Sequence, residues 1–173
     1  MTPKAATVEL DRLALSSGQA TALPVPVHIQ DVSLGGQSYA AAANPLEARL
    51  DISRTTSGWA LRLRFAIELD GPCVRCLEPA RFPLEIDARE VDQPSAGDDE
   101  LRSPYVSEGE VDVGRWANDA VVLAMPSQPL CREDCAGLCA VCGERIDPAD
   151  AEAHRHERGG DPRMAKLKEF KFD

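Results

Sequence analysis

A chain of 173 residues, 43% of them hydrophobic, is long enough to bury an aliphatic core without a metal to hold it together. Its formal net charge of −10, from 29 acidic and 19 basic residues, argues against broad binding to DNA or RNA and favours a basic partner. No apolar run approaches the roughly 18 residues of a membrane span. Met1–Ala20, with Glu9, Asp11 and Arg12, also lacks the basic-then-apolar order of a secretion signal, so a cytoplasmic location is expected.

In chain order, Val8 and Leu10, then Val25, Val27 and Ile29, suggest two short strands before Gly35-Gly36 breaks the chain. Leu46, Ala48, Leu50 and Ile52 alternate with polar neighbours. Trp59, Leu61, Leu63, Phe65, Ile67 and Leu69 do the same over a longer run, and Phe82, Leu84, Ile86 and Ala88 make a third. A period of two places one face in a core and one in water. With Thr55-Thr56-Ser57-Gly58 as a turn, the three predict an antiparallel meander. Residues 92–104, with Asp98, Asp99 and Glu100, read as a mobile acidic loop.

Val113, Trp116, Ala117, Ala120, Val121 and Ala124 form one apolar stripe at helical period, so a helix is expected over 112–125. Asp112 caps it and Pro126 stops it. Trp116 on that stripe is read as core. Asp161-Pro162 opens a last, basic helix over 161–173, with Arg163, Lys166, Lys168 and Lys171 as candidate RNA or partner contacts.

All six cysteines fall in two clusters. The first is Cys73-Val-Arg-Cys76, on the connection between the second and third strands of the meander. The second is Cys131, Cys135, Cys139 and Cys142, followed by Gly143, with His154-Arg-His156 a little further on. Thiols in a reducing compartment at CxxC spacing read as metal sites before disulfides. Thiolate and imidazole donors suit tetrahedral zinc. Glycine after the second cysteine of a knuckle allows positive φ while backbone N–H groups face the sulfurs.

Spacing leaves the ligand set open. The local set Cys131, Cys135, Cys139 and Cys142 closes the smallest loops and is favoured on that ground. Cys139 and Cys142 could instead join Cys73 and Cys76, or His154 and His156, and eight donors could hold two ions. Arg132 and Arg145 are candidates to offset thiolate charge. Glu133 and Asp134 lie inside the cluster, but Cys-rich sites are usually closed and structural, and no phosphate loop or hydrolase motif accompanies them. No enzyme activity is expected.

Taken together these residues resemble the YceD family, large ribosomal RNA subunit accumulation proteins. Cys73-Val-Arg-Cys76-Leu77-Glu78-Pro79 is similar to the family's C-x-R-C-L-x-P segment. Pro126, Pro129-Leu130-Cys131, Asp134-Cys135-Ala136-Gly137-Leu138-Cys139 and Cys142-Gly143 follow its next elements, and Asp161-Pro162-Arg163 its closing one. The similarity runs over about residues 59–173. Many members carry C-x-C where this chain has His154-Arg-His156, and histidine can replace cysteine on zinc.

The resemblance implies a non-enzymatic role in the accumulation or assembly of large-subunit ribosomal RNA, in a bacterial cytoplasm or an organelle derived from one. The expected partners are that RNA, a basic ribosomal protein, or both. A thiol-redox or zinc-sensing regulator using Cys73 and Cys76 is the alternative.

The expected architecture is a single α+β domain: a curved antiparallel sheet or partly open barrel covered by a helix, with a zinc-ordered C-terminal lobe. Residues 1–91 are mainly β, and residues 131–158 form the Cys/His-rich lobe.

Overall fold

The computed structural model describes residues 6–94, 101–147, 149, 152 and 154–156. The proposed basic helix over 161–173, with Arg163, Lys166, Lys168 and Lys171, lies outside the described residues, as do residues 95–100 of the acidic loop.

The meander forms as its alternation requires. Strand β5 (Leu46–Arg54) pairs antiparallel with β6 (Trp59–Pro72), and β6 pairs with β7 (Pro79–Asp92) along its whole length. Leu50, Ile52, Leu61, Leu63, Phe65, Ile67, Leu69, Phe82 and Ile86 are all buried on one face. The opposite face carries cross-strand ion pairs, among them Arg62–Asp87 at 2.6 Å and Arg64–Asp51 at 2.6 Å. Such exposed pairs contribute little to stability but keep that face wet.

Strand β2 (Ala20–Val27) extends the sheet beyond β5. The glycine pair read as a break is a two-residue hairpin turn. Gly35 and Gly36 both have positive φ, as such turns require, and they join β3 (Val32–Leu34) to β4 (Gln37–Ala41). Strand β4 shares one edge of β6 with β5. Strand β5 pairs with Arg64 back to Trp59, and β4 with Leu69 and Asp70.

The sheet does not close into a barrel. Its path runs β2-β5-β6-β4-β3 with β7 on the other side of β6, and no described strand pairs with the far edge of β7. Helix α1 (Val113–Ala124) touches both β7 and β2. Its boundaries agree with the stripe, the Asp112 side chain accepts the Arg115 N–H at 2.9 Å, and Trp116 is buried and stacked on Tyr105.

A separate small sheet forms from β1 (Thr7–Glu9), β8 (Val106–Ser107) and β9 (Glu110–Asp112), in the order β1-β9-β8. The ends of the acidic loop are held. Asp92 is buried and accepts the Ser103 N–H at 3.2 Å, and Gln93 N–H donates to Leu101 O at 2.8 Å.

Tyr39 of β4 is fully buried. Its ring covers Gly71 so closely that a Cβ there would stand 2.2 Å from it. The ring also meets Phe82 edge-on at 5.8 Å, and the hydroxyl donates to Pro72 O at 3.0 Å. This fixes the end of β6 at the residue before Cys73.

Candidate metal centres

The first centre is built where two distant segments meet. Cys73 and Cys76 sit on the tight connection from β6 to β7. After α1, Pro126 ends the helix and the chain returns with Pro129 fully buried, its carbonyl accepting the Val74 N–H at 3.0 Å. That contact delivers Leu130, Cys131 and Cys135 onto the knuckle, where Cys73, Cys76 and Cys135 form a small buried cluster of their own.

The Arg75 guanidinium donates to Cys135 O at 2.9 Å. Gly137, at φ +82°, lies so near Arg75 that a Cβ would come within 3.1 Å of its carbonyl oxygen. The four thiols of Cys73, Cys76, Cys131 and Cys135 lie within 4.8 Å of one another.

The second centre gathers Cys139, Cys142, His154 and His156, again with donor atoms within 4.8 Å. The favoured local set is therefore divided. Cys131 and Cys135 belong with Cys73 and Cys76, and Cys139 and Cys142 with the two histidines. The loop-closure argument for the local set fails because β-pairing and helix packing already bring residues 73–76 and 131–135 together, and a longer loop adds little: about 0.6 kcal/mol per doubling.

Both centres fit a tetrahedral ion. Zinc–sulfur bonds of about 2.3 Å place tetrahedral sulfurs about 3.8 Å apart. Cys73 and Cys135 sulfurs are 3.8 Å apart, and Cys76 and Cys131 sulfurs 3.6 Å. In the second centre Cys142 Sγ stands 3.4 Å from His154 Nδ1. His156 Nε2 is buried without a hydrogen-bond partner, an orphan that a cation would satisfy.

Charge agrees. Burial raises the Cys73 thiol, but the backbone around Cys131, Cys76 and Arg75 outweighs it and brings Cys73 down to about 6. Burial and the neighbouring thiols push Cys131 up to about 12, and burial raises Cys76. One thiolate is stabilised, and its neighbours resist ionising beside it unless a cation joins them. Cys139 is lowered to about 6, first by the backbone at Cys142 and Val141.

The two knuckles share one hydrogen-bond pattern. Leu77 N–H donates to Cys73 O and Gly143 N–H to Cys139 O, each at 2.9 Å. Cys73 N–H donates to Glu78 O at 2.9 Å and Cys139 N–H to Glu144 O at 2.7 Å. Gly143 has φ +75°, and Leu77, in the same place, has φ +62°.

Leucine in the left-handed region costs roughly 1–2 kcal/mol, partly offset by the greater unfolded-state freedom of glycine. Leu77→Gly is expected to leave stability unchanged or raise it by up to about 1 kcal/mol in denaturant unfolding. A clear loss of stability would show the leucine side chain to be needed.

Glu133 and Asp134 are exposed, and Asp134 pairs with Arg132 at 3.1 Å. Arg145 joins an isolated backbone bridge to Leu138. The arginine seated against the first centre is Arg75. Its position inside the first CxxC was visible in sequence, but its reach to Cys135 was not.

An antiparallel β-body carrying two four-donor Cys/His centres, one of them binding its longest hairpin to the chain beyond the helix, defines the class. The family model described as "Large ribosomal RNA subunit accumulation protein YceD" matches residues 61–171, and the chain belongs to that family. The match spans all eight candidate metal ligands. Uncharacterized proteins Rv2926c of Mycobacterium tuberculosis and Mb2951c of Mycobacterium bovis are each 32% identical to it over 170 residues, 95% of this chain and 80% of theirs. Uncharacterized protein ML1660 of Mycobacterium leprae is 32% identical over 102 residues, 55% of this chain and 45% of that protein. No solved structure matches the chain. Among the described residues, no helix is long and apolar enough to cross a membrane.

Proposed function

We propose that this protein is a non-enzymatic factor for the accumulation of large-subunit ribosomal RNA, acting by binding within the assembling subunit. The family match over residues 61–171 carries the reading. Both centres are proposed to hold zinc. Each is supplied with four protein donors and so needs no water or substrate to complete a tetrahedron. Zinc would there supply cross-linking rather than Lewis-acid chemistry.

The burial of Cys73 and Cys76 favours this over the redox alternative, since a reactive thiol needs access as well as a lowered pKa. The basic tail is proposed to add a contact to ribosomal RNA.

Depletion of the protein in its own cell is expected to lower the ratio of large- to small-subunit ribosomal RNA, and the intact gene to restore it. An unchanged ratio would overturn the assignment. Charge reversal at Lys166, Lys168 and Lys171 is expected to reduce co-sedimentation with large-subunit particles and to make what remains less sensitive to salt, because each removed phosphate contact lowers affinity and releases fewer counterions. Undiminished co-sedimentation would remove the tail from the mechanism.

A further inference from the structure

Strand β7 is 14 residues long and has one partner, β6; along its other side no described strand pairs with it. Free edges of that length invite a further strand, and proteins usually blunt them with proline and charge. Pro79 and Pro83 do this for the first part of β7. From Glu85 to Glu90 there is no proline. These six successive residues form one wall of a groove of about 370 Å³, and Tyr105, Trp116, Ala120 and Leu123 form much of the other.

The floor is apolar, and along the β7 wall Glu85, Asp87 and Glu90 outnumber the one cation, Arg89. Leu123, on α1, is 83% exposed, a large aliphatic side chain left in water beside the groove. Asp87 is held by both Arg62 nitrogens, at 2.7 and 2.6 Å, whereas Glu85 and Glu90 have no cation paired with them among the described residues. The Tyr105 hydroxyl pKa is raised by burial first and then by Asp119 and Glu90, against the lowering effect of Arg115, whose guanidinium lies 5.6 Å from the ring centroid. An occupant must match an open strand edge, an apolar floor and unpaired carboxylates.

We propose that the groove between β7 and α1 is the docking site for an extended, basic segment of a partner protein, which adds to β7 as a further strand. Main-chain hydrogen bonds along residues 85–90 supply affinity. Apolar side chains pointing inward meet Trp116 and Leu123, alternate Lys or Arg side chains on the outer face meet Glu85, and a cation at the inward end of the segment meets Glu90, which lies on the opposite face of β7. Six residues of extended chain span about 20 Å, the scale of a short strand-addition motif. Nucleic acid is disfavoured there by the sign of the charge. Identifying the segment as part of a ribosomal protein rests on the function proposed above; the groove and its preference do not.

The test uses full-length, zinc-loaded protein and a short fluorescein-labelled peptide of alternating lysine and valine. Glu85 and Leu123 are exposed, so Glu85→Lys and Leu123→Asp should leave melting and zinc content unchanged. The peptide is expected to bind with an affinity that falls with salt, and each variant to weaken it at least about tenfold. A glutamate–valine peptide should not bind.

Equal binding by wild type and both variants would overturn the proposal. So would a dimer that Leu123→Asp dissociates, since a second copy would then be the occupant. Binding that appears only after removal of residues 159–173 would point to the chain's own tail and overturn it as well.

The two readings fail separately. If depletion lowers the ribosomal RNA ratio and the double variant restores it fully, the groove has no part in that function. If depletion leaves the ratio unchanged while the peptide binds as described, the groove stands and the ribosomal assignment falls.

Discussion

Replacing Cys73 and Cys76 by serine is expected to halve the zinc content, from two ions to one per chain, and to destabilise the fold by about 3 kcal/mol or more, the scale of losing a covalent cross-link of comparable loop length. The serine hydroxyl is a poor ligand, and the remaining thiols would be left in a buried cluster without their ion. Replacing Cys139 and Cys142 should also remove one ion but leave the melting of the β-body nearly intact, because that centre ties down only its own lobe. Metal analysis with thermal unfolding of both variants separates this from a single local site. A single site made of Cys131, Cys135, Cys139 and Cys142 would lose nothing when Cys73 and Cys76 are changed.

Tyr39→Ala should cost about 3–5 kcal/mol, the usual range for removing a buried aromatic side chain. The loss has three parts: the packing against Phe82, the cover over Gly71, and the hydrogen bond to Pro72 O. Tyr39→Phe removes only the last and should cost about 1 kcal/mol. Denaturant unfolding distinguishes them. If the two variants are equally mild, Tyr39 does not anchor the end of β6.

The longest elements were legible because their patterns are long. Six alternating apolar residues from Trp59 to Leu69 admit only a half-buried strand, and the stripe from Val113 to Ala124, capped by Asp112 and stopped by Pro126, admits only a helix. The hairpin of β3 and β4 was missed although Gly35-Gly36 is a strong turn signal, because each flanking strand is too short to show a period. Strands β8 and β9 went unseen for the same reason.

At the candidate centres, all eight donors could be named from spacing, but not their grouping. What joins Cys131 to Cys76 is the burial of Pro129 and its hydrogen bond to Val74, a contact between segments more than 50 residues apart that leaves no local mark on either. How open the sheet is was likewise not legible, since nothing in the β7 pattern told whether another strand would pair with its far edge.

The pairing of β1 with β9 sets a schedule for the protein during its own synthesis. Thr7–Glu9 has no strand to join until Glu110–Asp112 has been made. At ribosomal rates of about 5–20 residues per second, that is a delay of roughly 5–20 s, lengthened by the residues still inside the exit tunnel. The last residue of the β5, β6 and β7 meander, Asp92, is made 18 residues before Glu110, about 1–4 s earlier at those rates. The first metal centre must wait longer still, until Cys131 and Cys135 follow. The four-thiol centre is therefore completed late, and a nascent chain arrested before residue 131 would hold a formed sheet with Cys73 and Cys76 still lacking their partners.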